Sequence, residues 1–205
     1  PPYFERHGLS SIAAGHPMVE GEAMKASGAR FREEFGILQG DVVIGALFGS
    51  RKGELRRTGP AIRDAIFDLS RRIGGVPHIV APTLPHIEGD VKALLHDYHG
   101  PIHIFTDPAH KYDAFRSFDV AMATSGTVGL ELAALEVPHV IAYKMNALTA
   151  MMVRKLVKVK YAHLANIMAH RAIVPEFIQE NCVPERMAEA AYGLYQSPQD
   201  QRAAF

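Results

Sequence analysis

Two rhythms of apolar residues run along the chain. Short, nearly unbroken runs rich in Val, Ile and Ala occur at 10–14, 41–48, 76–81, 101–105, 118–124 and 137–143. Between them, apolar positions recur at helical spacing near 27–36, 54–72, 88–97, 109–116 and 127–136. A strand that is apolar on both faces belongs inside a sheet covered on both sides, and helices between such strands supply the cover. The pattern therefore predicts the α/β class, with the last five runs forming a Rossmann-like doubly wound parallel sheet. In such sheets ligands sit beyond the carboxyl ends of the strands, so the loops that follow strands are the places to look for chemistry.

Three stretches follow from this division. Residues 1–20 read as a helix end, a strand and a Gly-His-Pro turn, the closing edge of a preceding domain and a linker. Residues 21–183 read as the Rossmann-like domain. Residues 184–205 read as a C-terminal helix with Pro184 at its first position, where a missing N–H costs nothing.

Composition narrows the class. The 205 residues are 48% apolar, enough for a sizeable core. The chain opens on Pro1-Pro2 without an initiator methionine and is expected to be a piece of a longer polypeptide. Its 22 basic residues are matched by 22 acidic ones, which argues against a generic nucleic-acid binder. Cys182 is the single cysteine, so no internal disulfide is expected, and a reducing compartment suits it. No apolar run approaches the ~18–20 residues that span a bilayer.

Two post-strand loops carry candidate chemistry. In "FDVAMATSGTVGLELAAL" a strand passes through Ser125-Gly126-Thr127 directly into a helix. Free amides and the helix dipole there suit a phosphate. Gly126 leaves the backbone unobstructed, Ser125 and Thr127 offer hydroxyls, and Glu131 lies about one turn on, where a carboxylate can accept both hydroxyls of a ribose. The plain alternative is a Ser or Thr helix cap with Glu131 paired to a surface base. In "LFGSRKGELRR" a strand ends at Gly49-Ser50, and Arg51 follows, a guanidinium able to fork onto phosphate oxygens. The alternative is a solvated charged turn. Together the two loops predict an electropositive cradle for a pyrophosphate.

A third region concentrates positive charge. Residues 144–171 hold Lys144, Arg154, Lys155, Lys158, Lys160 and Arg171 and no acidic residue. A helix through 148–159 places Met151, Arg154, Lys155 and Lys158 on one face, which suits an anionic lipid surface or a phosphorylated lipid. A core helix with a solvated basic face fits the pattern equally well. The histidines lack metal-ligand spacing, so no metal is assigned. Gly-x-Gly-x-x-Gly is missing from the sequence, which disfavours a nicotinamide or flavin cofactor, and no cofactor is expected.

The strings "ATSGTVGLELA" and "VPHVIAYKMNALTAMMVRKLVKVKYAHLANIMAHRAIVPEFIQENCVPE" resemble the C-terminal half of the lipid-A-disaccharide synthases. "GSRKGE" and "AAGHPMVE" fall where that family has its Gly-Ser-Arg and Gly-His-Pro segments. The resemblance implies a GT-B glycosyltransferase with two Rossmann-like domains facing a cleft. It implies transfer of 2,3-diacylglucosamine from UDP-2,3-diacylglucosamine to 2,3-diacylglucosamine 1-phosphate (lipid X), giving lipid A disaccharide 1-phosphate and UDP. It further implies inversion at the anomeric centre without a metal, and residence on the inner face of a bacterial inner membrane. Residues 1–20 would then be the remnant of the N-terminal acceptor domain, whose carboxylate general base lies outside this chain. A homodimer exchanging C-terminal elements is compatible with the resemblance.

By position, Arg51 and Asn166 match functionally important residues of the family and are the catalytic candidates the resemblance implies, with Asn166 expected to orient the donor. Gly49, Ser50, Arg51, Ser125, Gly126, Thr127 and Glu131 match its nucleotide-sugar site. Lys144, Arg154, Lys155, Lys158 and Lys160 are the candidates for membrane or lipid phosphate. Phe48 and Ala147 stand where proline is usual and His163 where serine is usual, which leaves the local loop shapes open. Another UDP-sugar enzyme of this architecture, such as a UDP-N-acetylglucosamine 2-epimerase, and a non-catalytic membrane-binding module are the competing readings.

Overall fold

The computed structural model describes residues 2–10, 21–124, 126–146 and 161–205. Six parallel strands form one sheet in the order β3-β2-β1-β4-β5-β6. They are β1 (Val43–Leu47), β2 (His78–Pro82), β3 (Ile102–Phe105), β4 (Val120–Thr124), β5 (His139–Tyr143) and β6 (Glu176–Ile178). Among the described residues the α-helices are α1 (Pro2–Arg6), α2 (Gly28–Glu34), α3 (Lys52–Ile73), α4 (Glu88–Leu95), α5 (Lys111–Ser117), α6 (Thr127–Ala134), α7 (Leu164–Ala169), α8 (Pro184–Gln196) and α9 (Pro198–Arg202). The order reverses between β1 and β4, and that topological switch opens a crevice at the carboxyl ends of the two central strands.

The period of two in each strand divides the core into two layers. Ile44 and Ala46 of β1, with Val120 and Met122 of β4, meet Leu55, Ile62, Ile66 and Leu69 of α3 and Met187 and Ala191 of α8. Val43 and Leu47, with Ala121 and Ala123, meet Phe31 of α2, Phe115 of α5 and Leu132 of α6. Every residue of β1 and β4 is buried, which is why those runs read as apolar throughout and not as alternating. The β1–β4 register pairs Leu47 with Ala123, so the loops leaving the two strands start side by side.

The predicted strands from 41 to 143 and the helices between them are all present, with ends shifted by a few residues. Residues 11–14 of the candidate strand 10–14, and the helix through 148–159, lie outside the described residues. β6 was not anticipated. It has three residues, follows Pro175, and is recognisable as a strand only because its backbone pairs with Ile141–Tyr143 of β5. Pro184 does open α8, as predicted.

Candidate functional site

A cavity of about 560 Å³ lies at the switch point, walled by the loops after β1, β2, β3 and β4. Gly49, Ser50 and Arg51 line one side, and Gly126, Thr127 and Glu131 line the other. Two loops that the sequence separates by more than seventy residues thus face a single space. Ser125 lies outside the described residues.

Gly49 is what lets the loops close up. Its φ is +90°, a conformation that disfavours any side chain, and a Cβ there would stand 2.8 Å from Glu54 Oε2 and 2.9 Å from Thr124 Oγ1. The β1–α3 loop is therefore pressed against the end of β4. His86 Nε2 lies 3.0 Å from the Ser50 carbonyl and braces the loop from the β2 side. Gly126 is extended (φ 162°), and the direction in which its Cβ would point is open space.

Helix α3 starts after Arg51 and α6 starts after Gly126. Among the described residues no side chain caps either start. Their first amides and the positive ends of their dipoles are left for the crevice, the arrangement that attracts anions. The Arg51 side chain is 80% exposed, and its Nη1 lies 3.1 Å from Glu54 Oε1.

Charge in the cavity differs from the electropositive cradle expected. The bases Arg51 and Lys111 share the wall with the acids Glu54, Asp107 and Glu131. Each base is already paired, Arg51 with Glu54 and Lys111 with Glu131 at 2.6 Å. Positive potential for an anion must then come chiefly from backbone amides and helix ends, with the guanidinium held close by. Glu54 and Lys111 were not singled out from sequence. Glu54 is a helix residue three after Arg51, and Lys111 opens α5 after β3, a post-strand loop whose position alone could have flagged it.

Asn166 is not in this cavity. The expectation that it orients a bound donor meets a different geometry. It is fully buried, and its amide is spent on the protein. Nδ2 donates to the Val174 carbonyl at 2.7 Å and to Glu176 Oε1 at 2.6 Å, while Oδ1 accepts from the amides of Ile173 and Val174 at 2.8 Å each. Glu176 also accepts from the amides of Ala162 and His163, capping the start of α7 from across the chain. Asn166 and Glu176 form a clamp between α7 and the β6 edge.

The clamp sets His163 against Gly129 of α6, where any Cβ would overlap the imidazole ring. The larger side chain at 163 is thus accommodated by a glycine on the helix it meets. His163 packs edge-on to His139, and burial pushes the imidazole pKa of both down, His139 to about 3. Lys144 follows β5. Its amide donates to Thr58 Oγ1 and its carbonyl accepts from Arg57 Nε, so the backbone is tied to α3 away from the cavity wall. Arg154, Lys155, Lys158 and Lys160 lie outside the described residues.

Similarity to known proteins agrees with this architecture. A family model described as lipid-A-disaccharide synthetase matches residues 1–204. The lipid-A-disaccharide synthase of Rhodospirillum centenum is 38% identical over 198 residues, covering 97% of this chain and 49% of the relative. That of Rickettsia typhi is 37% identical over 182 residues, covering 89% of this chain and 47% of the relative. The chain spans about half the length of the curated relatives it matches. Among solved structures, Escherichia coli ADP-heptose LPS heptosyltransferase II superposes with a TM-score of 0.60 at 12% identity, over 84% of this chain and 52% of that one. WaaG, a glycosyltransferase involved in lipopolysaccharide biosynthesis, gives 0.56 at 16% identity, over 86% and 44%. Those two share the GT-B glycosyltransferase fold, and the sequence matches go further: this chain belongs to the lipid-A-disaccharide synthase family.

Proposed function

We propose that this chain is the donor-binding half of a lipid-A-disaccharide synthase. It would hold UDP-2,3-diacylglucosamine while the sugar passes, with inversion, to 2,3-diacylglucosamine 1-phosphate. The observation that carries the reading is the convergence of two helix starts, Arg51 and Glu131 on one cavity at the sheet's switch point.

Each residue has a task in that reaction. As the anomeric carbon–oxygen bond breaks, negative charge grows on the β-phosphate of departing UDP. Preorganised amides at the starts of α3 and α6, with the Arg51 guanidinium, stabilise that charge without reorganising. Gly49, Ser50, Gly126 and Thr127 let the diphosphate approach the backbone, and Ser125 is the proposed source of a further hydroxyl donor. Glu131 accepts from the ribose hydroxyls. Asn166 supports the site from behind, through the clamp on α7. The acceptor and its carboxylate general base are assigned to the part of the family's length that this chain does not span. The chain alone is then expected to bind UDP weakly and to turn over nothing. Lys144, Arg154, Lys155, Lys158 and Lys160 are assigned to an anionic membrane surface.

Calorimetry with UDP on the wild type, Arg51→Ala and Glu131→Gln tests the site. Each substitution should weaken binding about tenfold, the worth of one charge-assisted hydrogen bond. Equal affinity across the three removes both residues from it. Turnover of donor and lipid X by this chain alone refutes the assignment of the base. Cosedimentation with anionic but not neutral vesicles checks the basic residues, and binding to such vesicles without any UDP binding favours the membrane-module reading.

A further inference from the structure

We propose that Lys111 is a positioning residue for Glu131, and that it fixes the carboxylate so that one oxygen is presented to a nucleotide ribose. The inference rests on the nucleotide reading above and adds a residue to it.

Lys111 and Glu131 come from different helices, α5 and α6, and both line the cavity. Lys111 Nζ lies 2.6 Å from Glu131 Oε1, and the Tyr112 hydroxyl lies 3.4 Å from the same oxygen. The ammonium is itself held over two ring faces, 5.1 Å from the centroid of Tyr112 and 5.7 Å from that of Phe115. Oε1 is thus engaged on the protein side. Among the described residues Oε2 has no hydrogen-bond partner, so it is the acceptor left for a ligand. The Glu131 side chain is only 11% exposed, and that of Lys111 is 34% exposed.

Two physical consequences follow. A free glutamate side chain loses rotamer entropy when a ligand orders it, and a carboxylate already held by an ammonium has met that cost in advance. An unpaired carboxylate beside a diphosphate would also repel it, and the ammonium cancels that charge where water screens least. Removing Lys111 should therefore weaken recognition of the ribose hydroxyls in particular, beyond any general loosening of the site.

The ratio of affinities for UDP and 2′,3′-dideoxy-UDP isolates that effect, because a general loosening lowers both together. In calorimetry the wild-type chain should prefer UDP by about tenfold or more, since the dideoxy compound leaves a charged acceptor unmatched. Lys111→Met should bring the ratio below about threefold, and Lys111→Arg, which keeps a cationic donor for Oε1, should hold it near the wild-type value. Lys111→Gln gives the same comparison should the methionine variant not fold. A ratio unchanged in Lys111→Met or Lys111→Gln overturns the role given to Lys111 and leaves the nucleotide site standing. A wild type that binds UDP without preferring it removes Glu131 from the ribose, and Lys111 with it. A wild type that binds neither nucleotide overturns the donor-site reading as a whole.

Discussion

Asn166→Ala offers a sharp test of the clamp, because a buried clamp and a donor contact predict opposite outcomes. The substitution removes four hydrogen bonds at once. It strands the amide and carbonyl of Val174, a residue with no solvent exposure, together with the amide of Ile173. Glu176 is less affected, since it keeps the amides of Ala162 and His163. A buried polar group left without a partner costs about 1–3 kcal/mol, and a water entering the vacated space recovers part of that. A net loss of roughly 3–5 kcal/mol follows for the three stranded groups. For a chain of this size each kcal/mol moves the melting temperature by about 2–4 °C, so a fall of roughly 10 °C is expected. Thermal unfolding by circular dichroism measures it, and hydrogen exchange should locate the lost protection at the amides of 173 and 174. Asn166→Asp should cost at least as much, because it sets a carboxylate against Glu176 where an N–H now donates. An Asn166→Ala variant that melts within about 2 °C of wild type yet binds UDP tenfold more weakly would refute the clamp and return Asn166 to the donor.

Three further outcomes follow from the packing. Gly129→Ala should destabilise the fold by about 1–3 kcal/mol in urea unfolding, because its methyl meets the His163 ring, and His163→Ser in the same chain should recover most of that loss. Burial lowers the His139 pKa to about 3, so the unfolded chain takes up a proton below about pH 6.5 that the folded chain does not. The stability from neutral His139 is complete above that pH and declines as the pH falls. The decline reaches roughly 2 kcal/mol by pH 5, and a flatter pH profile of the melting temperature in His139→Phe would check it. Gln201→Ala should cost about 2–4 kcal/mol in the same unfolding assay. The buried amide accepts from the His139 amide at 2.8 Å and donates to the carbonyls of His139 and Ile173 at 3.1 and 3.0 Å, so α9 is held against β5 by one side chain.

Much of the fold was legible because its signals are local. β1 and β4 are apolar throughout as they are buried on both faces, and Pro184 marks a helix start wherever it falls. The loops after β1 and β4 were legible as well, since Gly49-Ser50-Arg51 and Gly126-Thr127 sit at strand-to-helix junctions whose backbone conformation depends on neighbours in sequence. β6 was not, because three residues after a proline carry no period, and only pairing with β5 makes them a strand. The part played by Asn166 was not legible for a related reason. A motif position marks a residue as important without stating whether its amide faces a cleft or is spent on residues 173–176.

The sequence by itself determined the order of strands and helices, the parallel sheet they require, and the two loops most suited to an anion. Those properties depend on the spacing of apolar residues and on turn chemistry, which act over a few residues. Tertiary structure alone decided that the two loops share one cavity and that Lys111 meets Glu131 inside it. It also decided that Asn166 holds α7 to β6. The two loops lie more than seventy residues apart, Lys111 lies twenty from Glu131, and Asn166 lies ten from Glu176. Such pairings depend on strand order and packing, which fix distances in space that no local pattern encodes.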